Sequence, residues 1–162
     1  MVGEDTLDEA AALLDLLRVR GLTVATAESC TGGLIVAALT SVAGSSDAVA
    51  CGFVTYSNAA KTAMLGVPAE LITAHGAVSE AVALRMADGA LQRSKADLAV
   101  AVTGIAGPGG GSPEKPVGLV WFGAGRRGSA PWAERKVFPG DRADVREATV
   151  RRALRVLRQL AA

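Results

Sequence analysis

Three apolar runs of strand length, Leu22 to Ala27, Ala48 to Tyr56 and Asp97 to Thr103, alternate along the chain with stretches of helical periodicity. A short apolar run bounded by turn residues reads as a buried strand, and a crossover helix lays successive strands side by side in parallel. The alternation therefore points to an α/β fold before any motif is considered.

The helical signals fill the intervals. Thr6 with Glu9 matches a capping box, and Leu13, Leu14, Leu16 and Leu17 carry a first helix to a stop at Gly21. A second helix is expected over Gly33 to Thr40, approached from about Ser29, and a third near Asn58 to Leu65. Pro68 opens a short helical turn that Gly76 closes, and Ser79 caps a helix over Glu80 to Ser94. Farther on, Val117 to Ala124 and Ala133 to Phe138 flank the turn residues Gly125 to Pro131, the pattern of a hairpin. Asp141 then caps a last helix that ends near Leu160. Together these predict a three-layer α/β/α sandwich on a mixed, mostly parallel five-stranded sheet with one antiparallel strand. No linker, repeat or low-complexity tract interrupts it, so residues 1–162 are expected to form one domain.

Composition narrows the partners. Half the residues are apolar and 20% charged, the balance of an ordinary globular core. A net charge of +1 gives no reason to expect nucleic acid. Apolar runs such as Leu34 to Leu39 fall far short of the ~18 residues that mark a membrane span, and the acidic start Met1-Val2-Gly3-Glu4-Asp5 is unlike a secretion signal. We expect a cytoplasmic protein, without membrane association, that forms a homo-oligomer. Cys30 and Cys51 are too few for a disulfide framework and belong to no Cys-x-x-Cys pair, so both are expected to be reduced.

Two stretches carry chemistry. Ala27-Glu28-Ser29-Cys30-Thr31-Gly32-Gly33 follows the first strand, and Tyr56-Ser57-Asn58-Ala59-Ala60-Lys61 follows the second. A serine at a strand-to-helix junction sits where unpaired backbone N–H groups converge, a ready site for an oxyanion. Read alone, Ser29 is as well explained as a plain N-cap, and Lys61 as a solvated helix lysine. A lysine acts as a base only when burial or a nearby cation depresses its pKa. Tyr56 and Asn58, at the strand end, either terminate and cap or hold the lysine and receive a ligand. Glu28 either favours the helix dipole or tethers a cationic group.

Other arrangements are poorer. The only histidine, His75, lies in a connection before Gly76, with no Gly-x-Ser-x-Gly elbow to join it in a triad. No cluster of His and Cys suits a metal, and no cofactor is implied. Cys30 reads as a small packing residue, although a helix N-terminus can lower a thiol pKa. Ser112-Pro113-Glu114-Lys115 matches a Ser-x-x-Lys pattern but lies in a glycine-proline loop without the helix that pattern needs. The loop from Thr103-Gly104 to Pro116 lacks the Gly-Lys-Ser/Thr ending of a nucleoside triphosphate loop. It serves either as a ligand wall with an oxyanion N–H near Thr103 or as a flexible surface hairpin. In the last helix, Arg151, Arg152, Arg155 and Arg158 suit the C-terminal end of the dipole. Arg142 and Arg146 lie near its positive end on one face, as phosphate or carboxylate contacts or as partners in surface ion pairs.

Six ordered blocks resemble the CinA C-terminal domain family: Thr26-Ala27-Glu28-Ser29-Cys30-Thr31-Gly32-Gly33, Val54-Thr55-Tyr56-Ser57-Asn58-Ala59-Ala60-Lys61, Leu65-Gly66-Val67, Gly76-Ala77-Val78-Ser79, Thr103-Gly104-Ile105-Ala106-Gly107-Pro108 and Lys115-Pro116-Val117-Gly118. The resemblance covers nearly the whole chain, from about Leu7 to Leu160. The resemblance implies a stand-alone nicotinamide mononucleotide deamidase, a Ser/Lys amidohydrolase that releases ammonia and leaves nicotinate mononucleotide. On that basis Ser29, Lys61 and Tyr56 are the expected catalytic residues. Glu28, Cys30, Thr31, Gly32, Gly33, Asn58, Thr103, Gly104, Arg142 and Arg146 are the expected substrate-binding set. The alternatives are a sensor that binds a pyridine nucleotide without turning it over, and a partner protein in competence or DNA damage.

Overall fold

The computed structural model describes residues Met1–Ala162, and its sheet is ordered β2-β1-β3-β4-β5. Strands β1 (Val24–Glu28), β2 (Val49–Val54) and β3 (Leu98–Gly104) are parallel. Strand β4 (Leu119–Arg126) is antiparallel to both β3 and β5 (Trp132–Val137), so it is the single reversed strand that the sequence predicts. Helices α1 (Glu4–Arg20), α2 (Leu34–Thr40) and α6 (Arg142–Ala161) cover one face. Helices α3 (Asn58–Leu65), α4 (Ala69–His75) and α5 (Glu80–Gln92) cover the other.

The central strand explains the layering. In β3, Leu98, Val100 and Val102 point into the core under α1, α2 and α6, while Ala99 and Ala101 face α5. Covered on both faces, the strand reads as one continuous apolar run. The α5 face carries small residues because the helix lies close: a side chain at Gly123 would stand 2.1 Å from the Ala83 carbonyl oxygen.

Helix ends follow local chemistry with one exception. Gly21 stops α1 in the left-handed conformation, Ser79 accepts from the Val82 N–H, and Asp141 forms a full capping box with Asp144. Thr6 and Glu9 do not cap α1, which starts earlier, at Gly3. Thr6 is buried and donates its hydroxyl to Glu147, while Glu9 pairs with Arg151 and Arg155 of α6. Packing of α1 on α6 claims both side chains, and the cap signature loses to that contact.

This order has a consequence for ligands. The chain leaves β1 toward β2 on one side, and the connection beyond β2 returns across to β3 on the other. Neighbouring strands β1 and β3 thus form the switch point of a doubly wound sheet, where a crevice opens at their carboxyl ends. Ser29 follows β1 directly, and the loop beginning at Ile105 follows β3.

Candidate active site

Ser29 lies in a bend between β1 and α2, not at the helix cap; Gly33, at φ 100°, is the N-cap. The helix read over Gly33 to Thr40 is there, capped by Gly33, but its first N–H groups are not open. Glu28 takes them: its buried carboxylate accepts from Ile35 N–H at 2.9 Å and Val36 N–H at 3.0 Å, and from the hydroxyls of Thr31 at 2.7 Å and Thr26 at 3.2 Å. Of the two roles open to Glu28, the helix dipole wins and no cation is tethered. The oxyanion site expected at the helix end is filled by protein.

Free N–H groups remain in the turn itself. Ser29 N–H donates to Val102, and Gly32 N–H donates back to the Ser29 carbonyl at 3.0 Å. The N–H groups of Cys30, Thr31 and Gly33 have no backbone acceptor. A Cys30 N–H next to the serine is where an acyl-transfer site places an oxyanion donor.

Lys61 reaches this turn from the opposite helical layer. It lies one turn from Leu65 on the buried stripe of α3, and only 1% of its surface is exposed. A close contact seats the helix, since a side chain at Gly89 of α5 would meet the Leu65 carbonyl oxygen at 2.0 Å. Lys61 Nζ lies 3.0 Å from Ser29 Oγ and donates to the Thr55 carbonyl at 3.0 Å. No carboxylate forms an ion pair with it. Burial therefore depresses its pKa below the ordinary lysine value. The opposite holds for Cys30, whose thiol is pushed up to about 12 by burial and by the Glu28 charge. Cys30 is a protonated core residue that also borders the cavity.

That cavity, of about 230 Å³, is walled by Ser29, Cys30, Tyr56, Gly104, Ala106 and Arg142. A larger one of about 680 Å³ shares Ala106 and Arg142 with it and adds Pro108, Val117, Gly140, Asp141, Ala143 and Arg146. The two adjoin. Arg142 spans the junction, donating to the Gly107 carbonyl at 2.8 Å and to the Tyr56 hydroxyl at 3.1 Å. Tyr56 therefore stands at the pocket wall with its hydroxyl held by Arg142, and no hydrogen bond joins it to Ser29 or Lys61. Arg146 donates to the carbonyls of Cys30 and Thr31, and neither arginine forms an ion pair with a carboxylate.

Several expected residues stand elsewhere. Asn58 is exposed and borders a separate hollow with Thr62 and Ile72. The cap of α3 is Ser57. Thr103 turns its hydroxyl to the Ala77 carbonyl at 2.9 Å, tying β3 to the approach to α5. Thr31 serves Glu28, and Gly32 and Gly33 shape the turn with positive φ. In the glycine loop, Gly104, Ala106 and Pro108 line the cavities, whereas Gly109 to Glu114 are exposed. The start of the loop walls the cavities and its tip stands on the surface. Lys115 of the Ser-x-x-Lys stretch donates to the carbonyl of His75, and His75 is the exposed last residue of α4. The late arginines do more than answer a dipole: Arg151 and Arg155 pair with Glu9, and Arg152 with Glu134. Sequence reasoning missed the Thr55 carbonyl and the α6 start at Gly140 and Asp141, for which only their places beside Tyr56 and Arg142 were a signal.

Fold and site define a class: a doubly wound α/β protein with a buried serine–lysine pair at its switch point, opening onto an arginine-lined cavity. The chain belongs to the CinA C-terminal domain family, whose model matches residues 7–161. A CinA-like protein of Mycolicibacterium gilvum is 57% identical over 94% of this chain, which spans 35% of that relative's length. The nicotinamide-nucleotide amidohydrolase PncC of Escherichia coli K12 is 52% identical, over 88% of this chain and 87% of its own. The crystal structure of the competence/damage inducible protein CihA from Agrobacterium tumefaciens superposes with a TM-score of 0.97 at 51% identity, covering 100% of this chain and 99% of its own. No helix is long and apolar enough to cross a membrane.

Proposed function

We propose that this protein is an amidohydrolase that deamidates nicotinamide mononucleotide by a Ser/Lys acyl-enzyme mechanism. The observation that carries the mechanism is the buried Lys61 Nζ, 3.0 Å from Ser29 Oγ and without an ion-pair partner. The substrate follows from the similarity to PncC, supported by the neighbouring arginine-lined cavity.

In this reading Ser29 Oγ attacks the carboxamide carbon as neutral Lys61 takes its proton, with the Thr55 carbonyl holding Nζ in place. The Cys30 N–H faces the oxyanion. Collapse breaks the C–N bond, and the Lys61 ammonium returns the proton to the departing nitrogen, releasing ammonia. Water, deprotonated by Lys61, then cleaves the acyl ester and frees the carboxylate. The pyridinium charge makes the carbonyl more electrophilic, and in this reading the phosphate meets Arg142 and Arg146 in the larger cavity. Tyr56 bounds the ring end.

The decisive measurement is ammonia release by purified protein from nicotinamide mononucleotide, from its riboside and from nicotinamide. Release from the mononucleotide in clear preference is expected. Tight binding without release would select the sensor.

A further inference from the structure

We infer that Arg146 is a positioning residue through which an anion in the larger cavity sets the geometry of the Ser29 turn. The kinetic part of this inference rests on the amidase reading.

The guanidinium stands between two tasks. Its Nε and Nη2 donate to the carbonyls of Cys30 and Thr31, at 3.2 and 3.0 Å. Those carbonyls belong to the turn, and the consequence runs along successive peptide planes. The Thr31–Gly32 peptide, gripped at its carbonyl, presents the Gly32 N–H that bonds the Ser29 carbonyl at 3.0 Å. That bond orients the Ser29–Cys30 peptide, whose N–H points the other way and has no backbone acceptor. Arg146 thus reaches the N–H next to the nucleophile without touching the reacting atoms.

Its other side faces the larger cavity. With Nε and one hydrogen of Nη2 committed, the remaining guanidinium hydrogens have no carboxylate to meet. A phosphate seated there completes the hydrogen bonding of the fork and fixes its plane, and with it both carbonyls. Binding energy from a part of the substrate that does not react then raises kcat, not only affinity. Arg142, the second cation on this cavity, holds Gly107 and Tyr56 and makes no bond to the turn.

The test uses a substrate in two pieces. With the riboside as substrate, added inorganic phosphate raises deamidation by about 5- to 150-fold, the usual span for coupled sites. Arg146→Gln abolishes that activation and lowers kcat on the mononucleotide by a similar factor. Arg146→Lys restores KM but not kcat, because an ammonium lacks the planar fork that spans two carbonyls. A merely structural arginine would lower the melting temperature and leave the phosphate response of the riboside intact. A second readout needs no turnover: in the intact protein, inorganic phosphate shifts the amide resonances of Cys30 and Thr31, and Arg146→Gln removes the shift. A loss confined to KM, or wild-type amides that ignore phosphate while ammonia is released, would overturn the coupling. If no ammonia forms but the amides respond through Arg146, the amidase reading fails and the coupling stands.

Discussion

Lys61 Nζ and Ser29 Oγ meet at 3.0 Å although they arrive from opposite helical layers and lie thirty-two positions apart in the chain. The serine comes off β1 and the lysine off α3, with the Thr55 carbonyl as the second partner of the amine. A pair built this way has a direct kinetic signature.

Ser29→Ala is expected to lower kcat by about 10⁴ or more with the fold intact, because the covalent step is gone. Cys30→Ala keeps most of the activity, since its thiol, pushed up to about 12, supplies no thiolate near neutral pH. Steady-state ammonia release by both variants decides the matter. An active serine variant and a dead cysteine variant would reverse the assignment.

For Lys61 the sign of the pH dependence is fixed by burial. Its folded pKa is depressed, and only the neutral amine accepts a proton, so activity rises as pH climbs through a value below the free-lysine pKa of about 10.4. Lys61→Ala should cost roughly 10² to 10⁴ in rate, and Lys61→Arg as much, because a guanidinium does not deprotonate in this range. Stability carries the same sign. Between the depressed folded pKa and the unfolded one, the unfolded chain binds more protons, so wild type gains stability with rising pH relative to Lys61→Met. Activity profiles and urea melts across pH test both; a fully active arginine variant would remove Lys61 as the base.

Glu28 holds the turn from beneath. Glu28→Gln replaces one acceptor oxygen by an NH₂ that faces donors, and should destabilise by about 1.5–3 kcal/mol, the range of hydrogen bonds to a charged group. Glu28→Ala should cost more, and kcat should fall in both as α2 and the Ser29 bend lose their anchor. Urea denaturation with parallel kinetics checks this. Unchanged stability would mean that the four donors find other partners.

Gly89→Ala tests how Lys61 is delivered. The added methyl would meet the Leu65 carbonyl oxygen at 2.0 Å, so α3 must move. Overpacking of this kind costs roughly 1–3 kcal/mol, and the shift of α3 should lower kcat more than it changes KM. Thermal melts and kinetics read the two effects. A stable, fully active variant would show that α3 tolerates displacement.

The sequence by itself determined the α/β alternation, the single reversed strand, the bounds of α3 and the stops and caps at Gly21, Ser79 and Asp141. These rest on periodicity and on side chains that answer backbone groups a few residues away, which a linear reading contains. The pairing of Ser29 with Lys61 was legible only through the family blocks, for nothing local says that a helix lysine turns inward. Its register with Leu65 is the nearest signal. Tertiary packing alone decided that Glu28, not a ligand, occupies the start of α2, that Asn58 and Thr103 stand apart, and that Thr6 and Glu9 serve α6 instead of a cap. It also decided that Arg142 and Arg146 reach Gly107 and Thr31, thirty-five and 115 positions away. The physical reason is common to all of these: a polar side chain takes whichever partner burial brings to it, and that choice is made between elements, not within them.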